Sequence, residues 1–272
     1  MSTSAVVRSV VSPDGTSIGF SRSGAGRPLV LVHGTSASRS RWEPVLPSLE
    51  RRFTVYAMDR RGRGSSGDAQ EYSLEREIED VESVVRAVGE PLVLLGHSWG
   101  GICALEASGS GRITDALEGL ILYEPPIPVG TEIYPPGVLD RLAALLESGE
   151  REAVVTTFLA EVVRVPADQL ELMRAQPVWA ERVAAAHTLV REVRADDEYR
   201  FEPDRWRQLD LPTLLLLGGD SPPFFGAAIE ALHSALPNGA LRVMPGQQHA
   251  AMDTGPELFV HEVVRFVEAM QD

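Results

Sequence analysis

The chain has 272 residues, 39 acidic and 25 basic side chains and a net charge of -14, and every basic residue is arginine. The absence of lysine excludes Schiff-base catalysis and Walker-type phosphate binding, and the single cysteine, Cys103, excludes an internal disulfide and any multi-cysteine metal site. The acidity argues against nucleic acid or an anionic membrane surface as a partner, while a hydrophobic fraction of 44% is that of a folded protein.

The opening stretch, residues 1–11, has no long apolar core with a small-residue cleavage site, so no signal peptide is expected. No run reaches the length of a membrane span, and a cytoplasmic location is the expectation. Segments 6–11 and 17–21 read as a hairpin around Pro13-Asp14-Gly15. Short apolar runs at 29–32, 53–58 and 91–95 read as strands, and 74–88 and 99–108 as helices. Strands return at 117–123, 211–217 and 241–244, with helices at 224–236 and 257–270. Strands so continuously apolar are buried on both faces, which predicts an α/β fold with a mostly parallel sheet flanked by helices. Residues 125–208 hold no good strand. They read as helices at 137–148, 151–163, 167–175 and 178–193, a helical insertion between two strands. The expected division is a core of residues 1–124 and 209–272 and a cap of residues 125–208.

The most specific segment is Gly96-His97-Ser98-Trp99-Gly100, between an apolar run and a helix. That setting presents a serine hydroxyl on a tight turn, the glycines giving room that side chains would deny. The hydroxyl needs a base. Of the histidines at 33, 97, 187, 233, 249 and 261, His249 follows the last strand in a loop able to reach over the sheet edge, and it is the expected base. His33 is read as shaping its loop and His97 as pointing into the sheet or a neighbouring loop. Plain structural or surface roles are favoured for the rest. The base needs a carboxylate to fix its tautomer. Asp220, after the Leu214-to-Leu217 run, is the expected acid, giving the order Ser98, Asp220, His249. Glu124, ahead of Pro125-Pro126, is the competing carboxylate, otherwise read as shaping the pocket floor or anchoring the insertion. Backbone N–H groups of Trp99 and Thr35, with Ser36 next in line, are the expected oxyanion donors. Cys103 is read as packed behind the turn.

On His33-Gly34 with Trp42, Asp59-Arg60-Arg61-Gly62-Arg63-Gly64-Ser65-Ser66, Gly96-His97-Ser98-Trp99-Gly100-Gly101 and the Asp220/His249 pair, the sequence resembles the α/β-hydrolase fold, in its serine-nucleophile branch. The resemblance spans essentially the whole chain. It implies that residues 125–208 are the helical cap carried after the sixth strand, closing over the pocket and setting substrate choice. It also implies Ser98 as nucleophile, His249 as base and Asp220 as acid. Ala37 stands where many relatives have a second glycine. A serine rather than an aspartate argues against the epoxide-hydrolase and dehalogenase branches.

The fold does not name the substrate. Aromatic residues in the cap (Phe158, Trp179, Tyr199, Trp206) and near the site (Trp99, Tyr123, Phe224, Phe225) point to a small or medium, largely uncharged carbonyl compound. The candidate pocket residues are Ser36, Tyr123, Glu124, Phe158, Trp179, Phe224 and Phe225. The expected activity is hydrolysis of an ester, thioester or lactone through an acyl-enzyme, with no cofactor and no metal. The alternatives are a carbon–carbon bond hydrolase, a cyclase or a cofactor-free perhydrolase on the same fold, or a binding protein that kept it.

Overall fold

The computed structural model describes residues 6–130 and 133–270. Part of the stretch read for a signal peptide, residues 1–5, lies outside the described residues. Among the described residues eight strands form one sheet: β1 (Val6–Val11), β2 (Ser17–Gly24), β3 (Arg27–Val32), β4 (Phe53–Met58), β5 (Leu92–His97), β6 (Leu117–Tyr123), β7 (Thr213–Gly218) and β8 (Gly239–Met244). Their order is β1-β2-β4-β3-β5-β6-β7-β8. Only the β1–β2 and β2–β4 pairs are antiparallel. The turn between β1 and β2 is the expected one, with Gly15 at φ 88° and its N–H donating to Ser12 O at 2.8 Å.

Every residue of β4 and of β5 is buried. Each buried Leu or Val there removes about 1.5–3 kcal/mol worth of apolar surface from water. Such strands need cover on both faces, and helices supply it. On one face lie α2 (Leu74–Val88), α3 (Trp99–Gly109) and α10 (Pro223–Ala235). On the other lie the short α1 (Leu46–Leu49), α11 (Ala251–Thr254) and α12 (Pro256–Ala269). The side chain of Ser73 caps the start of α2 by accepting from Arg76 N–H, and Gly89 ends it at φ 74°. Helix α3 is buried almost all round, Cys103 included, as a helix between sheet and neighbours must be.

After β6 come the cap helices α4 (Val138–Glu147), α5 (Arg151–Thr157), α6 (Ala167–Arg174), α7 (Trp179–Ala184) and α8 (Ala186–Glu198), then α9 (Pro203–Trp206) and the return to β7. They have a core of their own, built on Val138, Leu142, Val154, Val155, Phe158 and Leu189. Two readings change here. The helix expected over 151–163 runs into a π turn at Phe158–Val162, and the one expected over 178–193 divides into α7 and α8 at Ala185, whose ψ of 6° is off the helical value. The apolar spacing was the same either way, so the breaks left no mark on it.

The arginines of the 59–66 segment tie these parts together. Arg60 pairs with Glu77 and Arg61 with Asp80 on α2, both pairs fully buried. Glu192 of α8 meets both Arg60, at 2.9 Å, and Arg63. Arg63 also donates to Ala37 O at 3.2 Å. Cap and sheet are thus joined by buried charge. Removing one partner of such a pair strands the other in low dielectric. Glu192→Ala is therefore expected to cost about 3–5 kcal/mol of stability, read as a lowered denaturant midpoint. Glu268→Ala, which breaks a pair with Arg52 that is more than half exposed on both sides, is expected to leave the midpoint unchanged.

Candidate functional site

Four strand tips build the site, that of β8 leading into the loop that carries His249. The first is β5, whose chain turns sharply at Ser98 into α3. Ser98 has φ 56° and ψ -130°, a region an L-residue enters only under constraint. A Cβ on Gly96 would stand 2.4 Å from Gly100 O, and one on Gly100 would stand 2.4 Å from His33 O. The glycines let three backbones close around the turn. Ser98 N–H donates to Tyr123 O at 2.9 Å, fastening the turn to β6.

The second tip is the loop after β3. A Cβ on Gly34 would lie 2.7 Å from Ser98 Cβ, so this loop passes directly beside the serine. His33 shapes it, as expected. Its Nδ1–H donates to Gly34 O at 2.8 Å and its Nε2 accepts from Arg60 N–H at 3.1 Å, which fixes the neutral tautomer. Burial, with Arg60 and Arg63 nearby, holds this imidazole far below its ordinary pKa. Asp59 accepts from Arg39 N–H at 2.9 Å and from Ser65 N–H at 2.8 Å, anchoring the loop's far end.

The third tip is β6. Here Glu124, completely buried at φ 45°, places Oε2 2.6 Å from His249 Nδ1, while its Oε1 accepts from Gly218 N–H at 2.7 Å. Asp220, the expected partner, is exposed on the turn after β7, and its backbone N–H donates to Gln247 O at 2.9 Å. The carboxylate on His249 is thus Glu124, not Asp220. Sheet order alone does not decide between them, since β7 lies between β6 and β8 and the loop after β8 carries His249; the difference is burial, Glu124 being fully enclosed against the imidazole and Asp220 turned to solvent. The missed signal was a carboxylate directly after the buried apolar run Leu120–Tyr123, where burial without a partner would be prohibitive.

Two side chains hold the His249 loop. Tyr123 OH donates to Gln248 O and accepts from Ala251 N–H at 3.1 Å. His97 Nε2–H donates to His249 O at 2.9 Å, so His97 does point into a neighbouring loop. Burial keeps His97 neutral, far below its ordinary pKa, with His249 adding to the effect. The Phe225 ring stacks on His249, centroids 4.3 Å apart. With Nδ1–H given to Glu124, Nε2 is left as the nitrogen carrying the lone pair.

Ser98 and His249 line two chambers in common, one of about 180 Å³ and one of about 30 Å³. Thr35 and Phe158 line both, Ser36 the larger, and Trp99, Phe224 and Phe225 the smaller. Tyr123 and Glu124 sit beneath the chambers rather than in their walls, and Trp179 packs in the cap core with its Nε1 on Glu152. Burial pushes the Cys103 thiol up and out of use. Among the described residues no cluster of three His, Cys, Asp or Glu is arranged to hold a metal, and no helix is long and apolar enough to cross a membrane.

The sheet order, the strained serine between β5 and α3, and the cap after β6 define a class, the hydrolases built on this α/β architecture. The chain belongs to the alpha/beta hydrolase family, whose profile it matches over residues 29–262. It is 29% identical to a non-heme haloperoxidase of Rhodococcus erythropolis, across 96% of this chain and 99% of that one. Among solved structures it is similar to an alpha/beta hydrolase from Sphaerobacter thermophilus, with a TM-score of 0.85, 35% identity and coverage of 96% and 100% of the two chains. It is also similar to an esterase from Rhodococcus sp. ECU1013, at 0.76 and 26%, covering 97% and 99%.

The smaller chamber also holds Asp196, whose Oδ2 accepts from Tyr134 OH and whose Oδ1 is buried without a partner among the described residues. Burial, reinforced by Asp197, pushes its carboxyl up from 3.8 to about 8, against the pull of the Tyr134 bond. The unfolded chain loses this proton first, so stability falls as pH rises through the window between those two values. The melting temperature of the wild type should therefore drop relative to that of Asp196→Asn between pH 5 and pH 8, and a difference that stays flat over that range would contradict the burial of an acid here.

Proposed function

We propose that the protein is a serine-dependent carboxylic ester hydrolase, acting through an acyl-enzyme, with residues 1–124 and 209–272 as catalytic core and residues 125–208 as the cap that closes the pocket. The observation that carries this reading is the 2.6 Å contact of Glu124 with His249 Nδ1, in a cavity that His249 shares with a serine on a strained turn.

Ser98 Oγ attacks the substrate carbonyl while His249 Nε2 takes its proton. Glu124 holds the ring in the required tautomer and stabilises the imidazolium that forms. The developing oxyanion is met by the backbone N–H groups of Trp99 and Thr35, the first at the N-terminus of α3, where the helix field favours negative charge. Collapse of the tetrahedral species expels the alcohol, which leaves with the proton from His249. Water, deprotonated by the same imidazole, then attacks the acyl group and restores Ser98.

A second reading, perhydrolysis, is favoured by the similarity to a non-heme haloperoxidase over nearly the whole chain. Hydrogen peroxide in place of water would capture the same acyl group and give a peracid. Peracid formation from acetate and peroxide, dependent on Ser98, distinguishes the two.

Ser98→Ala should abolish turnover of short p-nitrophenyl esters and labelling by a fluorophosphonate. Glu124→Gln is expected to lower kcat by about 10²–10⁴-fold, while Asp220→Asn stays within about threefold of the wild type, since an exposed carboxylate is well screened. The reverse ranking of those two variants would overturn the assignment of the acid.

A further inference from the structure

The larger chamber beside Ser98 and His249 is lined by three arginines, Arg41, Arg164 and Arg182, and by no Asp or Glu among the described residues. That local excess of positive charge stands inside a chain of net charge -14.

Arg41 is the informative one. It lies on the 3₁₀ turn Arg39–Trp42, and its side chain is 8% exposed. Its Nη1 donates to Asp253 at 2.6 Å, but Nε and Nη2 are buried and meet no acceptor among the described residues. Those two N–H groups form the side-on edge of the guanidinium, the fork that grips a carboxylate through two parallel hydrogen bonds. This chain fills the same edge elsewhere. Glu77 occupies it on Arg60, at 3.1 and 2.8 Å, and Asp80 occupies it on Arg61, at 2.7 and 2.8 Å. On Arg41 no described side chain or backbone group accepts from it. Buried charged donors without acceptors are costly, and a protein that keeps them has a reason.

Arg182, on α7, has its Nη1 committed to Ser36 O at 2.6 Å and adds charge next to Arg41. Burial first, and then repulsion from Arg41, holds the Arg182 guanidinium below its ordinary pKa, against the pull of Asp253 and Glu181. A guanidinium nevertheless stays protonated in a protein. An anion bound between the two arginines would relieve that repulsion.

We propose that the substrate carries a free carboxylate, which docks on the Nε–Nη2 edge of Arg41 in the field of Arg182 while its scissile carbonyl lies at Ser98. This deepens the ester-hydrolase reading, on which it rests, and replaces the largely uncharged substrate expected from the aromatic residues. The substrate class becomes hemi-esters and related acids with the carboxylate a few bonds from the reacting carbon.

Monomethyl glutarate and dimethyl glutarate differ by one charge and little else. Each is titrated calorimetrically into the Ser98→Ala protein, with and without Arg41→Gln, and hydrolysis of both by the wild type is followed in parallel. The monoester is expected to bind about tenfold tighter than the diester, and Arg41→Gln to reduce the preference below about threefold with diester binding unchanged. Equal binding of the two esters, or a preference that survives Arg41→Gln, would overturn the proposal. Should Arg41→Gln not fold, Arg41→Lys replaces it, keeping the charge without the fork. A drop in preference then supports the assignment, and full retention overturns it. Absent turnover with the binding preference intact would sink the acyl-enzyme reading and leave the carboxylate site standing.

Discussion

The turn at Ser98 is the constraint on which the rest of the molecule depends. A serine at φ 56° and ψ -130° is held there by what surrounds it, since the residue itself prefers other conformations. Backbone closes in from Gly100 on Gly96 and from His33 on Gly100, and β6 supplies the acceptor for Ser98 N–H. The strands on either side pair with β5 along its length, with one register shift against β6 at Leu92/Val93, and β5 is buried throughout. The sheet's stability is what the strained turn draws on, and the exposed hydroxyl is the result.

The same economy of position governs the charges. Three consecutive-motif arginines, Arg60, Arg61 and Arg63, reach into α2, into α8 and back to the loop after β3. Buried pairs of this kind contribute little net stability against an apolar alternative, but they are intolerant of misplacement. They set where the cap sits over Ser98 and how the loop carrying Thr35 runs past it. Arg182 extends the link, joining α7 of the cap to Ser36 of that loop. Cap and loop therefore cannot shift independently, which makes the cavity between them a defined shape.

Beneath the cavity the polar groups are arranged for orientation. Glu124 divides its two oxygens between His249 and the backbone of Gly218, so the carboxylate cannot rotate away from the imidazole. Tyr123 and His97, both buried and neutral, pin the backbone of 248–251 from below. None of the three needs to move in turnover, and preorganised groups of this sort act without reorganisation cost.

The sequence alone was enough for the sheet, the sharp turn at Ser98 and the helical cap after β6. Period-two and continuous apolar runs mark strands such as 91–95 by composition, and Gly96-x-Ser98-x-Gly100 marks the turn because only glycine fits where backbones touch. Those are local properties, carried by neighbouring residues. What the chain order could not decide was which strand tip reaches His249. Asp220 and Glu124 both end apolar strands ahead of it in sequence, and only the folded chain buries Glu124 against His249 while leaving Asp220 on an exposed turn. The arginines were equally silent. A chain whose basic residues are all arginine shows no pattern that separates Arg60 and Arg61, whose forks are filled, from Arg41, whose fork meets no acceptor among the described residues. That difference arises from partners more than a dozen residues away in sequence, and so it exists only once the chain has folded.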